Sequence, residues 1–197
     1  IVFGDWSSDV CSSDLALLSE GRPLVEWASE RDLGFLLHIS ADPDEAYSQV
    51  RATFDLTQQF PETRFCLAHC AAFDKWVLEA AGAAPNVWVD TAALKIQVQA
   101  ALENNPAMAA LPDRFESDYT DHRRVLADLA EAWPDTIVWG SDSPAYSYIC
   151  RRKQAEGHWL DFCLKGTYED EVVALASLDP ALRQQLANTN PLRFIFG

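Results

Sequence analysis

Phe35-Leu36-Leu37-His38-Ile39-Ser40 decides the fold. It is a short, nearly all-apolar run, the kind buried on both faces of a parallel sheet, and it ends on a histidine. Asp42-Pro43-Asp44-Glu45 follows as a helix start, with Asp42 as N-cap, Pro43 in the first turn and Glu45 completing a box-like pattern. That helix is expected to run to about Phe60, where Pro61 stops it. The same plan recurs along the chain. A strand is expected over 64–68, leading into His69-Cys70; another over 86–90, leading into Thr91; and another over 136–140, leading into Ser141-Asp142-Ser143-Pro144. Helical patterns cover 22–33 (stripe Leu24, Trp27, Ala28), 74–81 closed by Gly82, 118–133 (stripe His122, Val125, Leu126, Leu129, Trp133), 169–177 and 180–188. Pro106 and Pro112 break the stretch after the third strand into an irregular excursion. Strands alternating with helices imply α/β with a parallel sheet. The pattern fits half of a (β/α)8 barrel or an open doubly wound sheet. No glycine-rich phosphate loop occurs, which counts against nucleotide binding.

The chain has 197 residues, 49% of them apolar, enough for one domain with a substantial core. Its formal net charge of -15 disfavours nucleic acid and anionic membrane as partners, because both need clustered Lys and Arg. No run is long and apolar enough for a membrane span, and the acidic, serine-rich start is no secretory signal. Cys11, Cys66, Cys70, Cys150 and Cys163 are odd in number and irregularly spaced, so reduced thiols in a cytoplasmic protein are expected. Cys66-x-x-His69-Cys70 suggests a zinc knuckle, but strand alternation would put His69 opposite the two cysteines. Residues 5–15, Asp5-Trp6-Ser7-Ser8-Asp9-Val10-Cys11-Ser12-Ser13-Asp14-Leu15, have neither sheet nor helix period and resemble a translated sequencing adapter. Residues 1–15 are therefore read as a non-native segment, and 16–197 as a partial barrel domain.

His38, His69 and Asp142 each stand at or just past the carboxyl end of an expected strand, the active face of a parallel barrel. Leu36 and His38 share one side of their strand, as do Leu67 with His69 and Gly140 with Asp142, so all three polar groups are expected to point toward one axis. Alone, such a histidine is as a rule a hydrogen-bonded core or loop residue. Three on successive strands point to a site, and imidazole and carboxylate are ligands that hold Zn²⁺ or Mn²⁺ with positions left open.

From Ala16 onward the chain resembles the C-terminal half of the amidohydrolase superfamily, in its amidohydrolase-related branch of metal-dependent hydrolases and decarboxylases. The match rests on Leu36-Leu37-His38, Cys66-Leu67-Ala68-His69-Cys70 and Val138-Trp139-Gly140-Ser141-Asp142-Ser143-Pro144, with support from Asn190-Pro191-Leu192-Arg193-Phe194-Ile195-Phe196-Gly197. The resemblance implies α/β strands five to eight of a TIM barrel with their helices, the N-terminal half being absent. It implies that His38 is a metal ligand, that His69 lies near the metal and polarises the substrate or, as in some members, ligates a metal directly, and that Asp142 binds the metal and serves as general base. The cofactor implied is a divalent metal, zinc first and manganese second. The family's first-strand H-x-H or E-x-H metal pair has no counterpart upstream of His38, and no H-x-H occurs anywhere in the chain.

The reading that follows is hydrolysis of an amide, ester or lactone by metal-activated water. Non-oxidative decarboxylation of an aromatic or related carboxylic acid is the alternative, and a non-catalytic or inactive truncated barrel is a third. The partner expected is a small molecule, a carboxylic acid or its derivative, on a homo-oligomeric enzyme. Lys95, His122, Arg123 and Tyr146 are candidate substrate contacts, with Tyr148 and Arg151 at the pocket mouth. Asp90 faces inward only if its strand keeps the same phase, and His158 is given no role. A half-barrel would expose sheet edges and apolar helix faces, so this chain alone is expected to associate and to have little activity.

Overall fold

The computed structural model describes residues 2–4, 22–45, 49–143, 148–153 and 159–197. In chain order the elements are β1 (Val2–Gly4), α1 (Arg22–Ser29), β2 (Phe35–Leu37), α2 (Val50–Gln58), β3 (Phe65–Leu67), α3 (Lys75–Ala83), β4 (Val87–Asp90), α4 (Leu94–Leu102), α5 (His122–Ala132), β5 (Ile137–Val138), β6 (Tyr148–Lys153), β7 (Trp159–Lys165), α6 (Tyr168–Ala176), α7 (Pro180–Gln184) and α8 (Asn190–Phe196). β1 to β5 form one five-stranded sheet in sequence order, every neighbouring pair parallel. β6 and β7 form a separate antiparallel pair.

The expected alternation of strand and helix is present, with differences that have physical causes. Val2–Gly4, in the segment set aside as non-native, pairs with Phe35–Leu37. The helix expected to start at Asp42 starts at Val50 instead. Asp42 does cap, but it caps a turn, accepting from Asp44 N at 3.0 Å. Gln49, at φ -57 and ψ 115, then carries an extended backbone into the helix. The irregular excursion after β4 contains α4, entered through Ala93 in the left-handed region at φ 56. Gly82 lies inside α3 rather than closing it, and a Cβ there would come within 2.5 Å of the Trp133 ring. The tyrosine-rich stretch after Asp142 contains the β6–β7 pair.

The sheet's two faces are packed differently. Phe35 and Phe65 stack on each other and bury Val25, Ala28, Leu56 and Phe60 from the side of α1 and α2. Leu67, Val89 and Ile137 continue that face into the main core with Val77, Leu78, Leu126 and Leu129. The alternate residues Leu36, Cys66, Trp88 and Val138 form the opposite face, packed on Phe194 and Ile195 of α8. Alternation at period two sorts these side chains once the strands are aligned.

α8 is fastened by Asn190, which is wholly buried. Its amide donates to Pro134 O at 2.7 Å and Ile137 O at 2.6 Å, while its oxygen accepts from Gln185 at 2.8 Å. Arg64 donates to Phe194 O at 2.8 Å from the other side. The closing Asn-Pro word thus joins the last helix to the start of β5. Asn190→Ala would strand two buried carbonyls, so unfolding stability should fall by on the order of 2 kcal/mol. Urea denaturation should show the midpoint shifting with an unchanged slope, whereas a loss below about 0.5 kcal/mol would show that Asn190 is not what secures the helix.

Candidate functional site

In a parallel sheet every strand delivers its carboxyl end to the same edge. Here that edge receives His38 after β2, His69 after β3, Asp90 at the end of β4, and the Gly140-Ser141-Asp142 segment after β5. His38 and His69 meet there: Nδ1 of His38 lies 3.0 Å from Nε2 of His69, with the rings edge to face.

The route by which they meet corrects the alternation argument. Leu36 pairs with Cys66 and Leu37 with Leu67, so His38 is level with Ala68 rather than with His69. Continued as a strand, residue 69 would point into the helix-packed face beside Leu67. Instead β3 ends at Leu67 and the backbone turns over. His69, Cys70, Ala71, Ala72 and Phe73 have φ of 57, 55, 50, 50 and 57, a left-handed run of five non-glycine residues. Left-handed backbone is costly for such residues, and the small side chains at 70–72 lessen the crowding. The run is buried from Cys70 to Phe73 and is tied down by Ala109 N to Ala72 O and Phe115 N to Phe73 O, both at 2.9 Å. This reversal swings the His69 ring onto the face of His38.

Asp90 keeps the phase of Leu36, Cys66 and Trp88, and so stands on the site's face. Sequence leaves its orientation conditional, because the short apolar run Val87-Trp88-Val89 does not declare its phase. Its Oδ1 accepts from His69 N at 3.1 Å and from Ala92 N at 2.9 Å. Burial pushes its carboxyl above the usual range, His69 and the two N–H donors pull it back, and the charge of Asp142 raises it again. Asp142 is therefore within electrostatic reach, exposed on the same rim and held at φ 57. Thr91 guides the chain toward it: its hydroxyl donates to Gly140 O at 3.3 Å and accepts from Gly140 N at 3.2 Å.

The family model described as amidohydrolase matches residues 4–196. The chain belongs to the amidohydrolase family. No curated protein matches the sequence. Among solved structures, an amidohydrolase from Burkholderia multivorans with bound HEPES is 13% identical, with a TM-score of 0.59 over 97% of this chain and 62% of that one. A dihydroorotase from Campylobacter jejuni is 14% identical, with a TM-score of 0.56 over 89% and 52%. An uncharacterized TIM-barrel protein from Bordetella bronchiseptica is 14% identical, with a TM-score of 0.53 over 88% and 49%. The chain spans about half the length of these structures. At such identities the likeness is one of fold, a parallel α/β sheet of TIM-barrel type.

The family implies a divalent metal, and the donor chemistry fits one. Two nitrogens bound about 2.0–2.1 Å from a tetrahedral zinc lie roughly 3.3 Å apart, and the facing imidazole nitrogens are 3.0 Å apart. Among the described residues no group of three or more His, Cys, Asp or Glu side chains is gathered to hold an ion. The convergent pair is His38 with His69. Cys66 and Cys70 are both wholly buried, and burial pushes their thiols well above the usual range, which suits core packing rather than a zinc knuckle.

Three of the candidate substrate contacts have partners on α6 or at the start of α5. Lys95 Nζ pairs with Asp170 Oδ1 at 2.7 Å, and His122 Nε2 lies 3.2 Å from Asp170 O. Arg123 is exposed and forms two bonds to Asp121, at 2.9 and 2.8 Å. These three residues are thus engaged with α6 and the start of α5. Tyr146 and His158 lie outside the described residues, and of Tyr148 and Arg151 the structure describes the strand backbone. No helix of the described residues is long and apolar enough to cross a membrane.

Beside them, Glu171 of α6 is wholly buried and its Oε1 accepts from Lys95 N at 3.1 Å. It therefore caps α4 in place of Ala93, which has no side chain able to do so. Among the described residues its buried Oε2 has no hydrogen-bond partner. Burial raises its carboxyl from an ordinary value near 4.5 to about 7, with the charge of Asp170 adding to the rise and the Lys95 N–H opposing it. The folded chain then binds more protons than the unfolded chain between these two values, so stability is lost as pH rises through that window. Glu171→Gln should remove this loss, worth on the order of 2 kcal/mol above pH 7, while retaining the cap acceptor. Urea midpoints compared at pH 5 and pH 8 measure it, and an equal pH dependence in both proteins would count against a neutral Glu171.

Proposed function

We propose that this chain carries strands five to eight of an amidohydrolase barrel and contributes to the hydrolysis of an amide, ester or lactone bond in a small molecule, a carboxylic acid derivative. The observation that carries the reading is the His38–His69 pair at 3.0 Å on the carboxyl edge of a parallel sheet, with Asp142 on the same rim. Bound there by His38 and Asp142, and by His69 through Nε2 as in the members where that histidine ligates directly, a divalent ion would acidify a water and polarise a carbonyl.

The chain's own residues supply the rest. Asp142 is an exposed carboxylate at the rim, suited to take a proton from an attacking water. His69 presents Nε2 toward the same point, and its Nδ1 lies 3.1 Å from Ala92 O. That carbonyl can only accept, so Nδ1 carries the hydrogen and Nε2 keeps its lone pair in the neutral ring. In the pair as described, His38 Nδ1 must therefore be the donor. When His38 serves as a ligand through Nδ1, its hydrogen must move to Nε2. Coordination at this edge thus requires a tautomer change at His38 but none at His69.

The test uses the chain with zinc or manganese, offered lactones, esters, amides and hydroxybenzoates. Release of free acid without CO₂ is expected, falling at least about 100-fold in Asp142→Asn. His38→Ala should weaken zinc binding by at least about tenfold in calorimetry. CO₂ release from a hydroxybenzoate would establish the decarboxylase instead. Zinc binding indifferent to His38 would exclude the proposed ligand.

A further inference from the structure

We propose that Asp90 is a positioning residue of this site, whose single oxygen Oδ1 fixes both the place and the tautomer of the His69 ring. The inference rests on the reading of His38 and His69 as the functional pair, and it gives a role to Asp90, to which neither the strand-end pattern nor the family resemblance assigns one.

Two anchors determine where the His69 imidazole goes. The first is its own backbone, which leaves the strand direction at φ 57 and begins the left-handed run. The second is the carbonyl of Ala92, 3.1 Å from ring Nδ1. Asp90 Oδ1 holds both: it accepts from His69 N at 3.1 Å and from Ala92 N at 2.9 Å. One buried atom at the end of β4 thus ties the turn after β3 to the turn after β4. With both tied, the ring can rotate about neither anchor and its Nε2 is aimed at His38 Nδ1, 3.0 Å away.

The clamp stands where it is needed. Five consecutive non-glycine residues at positive φ are held only if the surroundings over-determine them. The bonds from Ala109 and Phe115 secure the far end of the run, at Ala72 and Phe73. At the near end, where the functional ring is attached, the His69 N–H goes to Asp90. Ala92 likewise sits one residue before Ala93, which is itself at φ 56, so both turns tied by Asp90 are of the costly kind. The geometry calls for an acceptor at Oδ1 more than for a full charge, and this separates the possible substitutions. Asp90→Asn keeps a carbonyl oxygen in place. Asp90→Ala removes it, and Asp90→Glu keeps the charge but carries it one methylene too far.

The experiment is long-range ¹H–¹⁵N correlation on the imidazoles of the ¹⁵N-histidine-labelled chain, together with cobalt(II) titration followed by the visible absorption of the bound ion. In the wild-type chain His69 is expected as a single Nδ1–H tautomer, and Asp90→Asn should preserve it. Asp90→Ala, or Asp90→Glu if the alanine variant does not fold, should show the averaged tautomers of an untethered ring. Cobalt affinity should fall at least about tenfold in Ala and Glu but by less than about threefold in Asn, as expected of a group that orients a ligand. A wild-type His69 in the Nε2–H form, or averaged, overturns the proposal without any variant, as does an Ala or Glu variant that keeps the tautomer. Failure of the metal reading is distinguishable: the wild-type chain then takes up no cobalt, while the tautomer comparison still decides the role of Asp90.

Discussion

Parallel pairing is the constraint on which this molecule depends. When strands β1 to β5 all run the same way, each connection must cross over the sheet, and whatever residue follows each strand is delivered to one edge. Polar residues scattered from His38 to Asp142 are brought to that one edge for this reason. The helices that make the crossovers bury Phe35, Phe65, Leu67, Val89 and Ile137 on one face, and α8 covers Leu36, Cys66, Trp88 and Val138 on the other. From β2 to β5 the sheet is therefore covered on both faces and polar at its carboxyl edge.

Register then decides which residues at that edge meet. Pairing of Leu36 with Cys66 puts His38 one residue behind His69, a step that in straight strands would send the two rings to opposite faces. The left-handed turn from His69 to Phe73 removes the mismatch. Its cost is offset by burial of small side chains and by hydrogen bonds to residues far along the chain, including Asp90, Ala109 and Phe115.

Buried polar groups elsewhere follow the same logic of one side chain joining two segments. Asn190 joins α8 to β5, and Glu171 joins α6 to the start of α4. Each satisfies backbone groups that a helix end or strand start would otherwise leave unpaired. Lys95 and His122 belong to the same α6 junction, both meeting Asp170.

Much of this was legible in the sequence, because it depends on local pattern. Apolar runs bounded by polar words marked β2, β3, β4 and β5, and the helices expected from 74, 118 and 169 are capped by Asp74, Asp121 and Thr167, the second three residues late and the third two residues early. His38, His69 and Asp142 were recognisable by position alone. What the sequence could not settle is long-range. The late start of α2, the presence of α4, the β6–β7 pair, the turn at His69 and the phase of Asp90 are chosen by contacts between residues tens of positions apart. Local propensity is blind to such contacts, and a short strand whose residues are all apolar looks the same from either face until its neighbours fix the register.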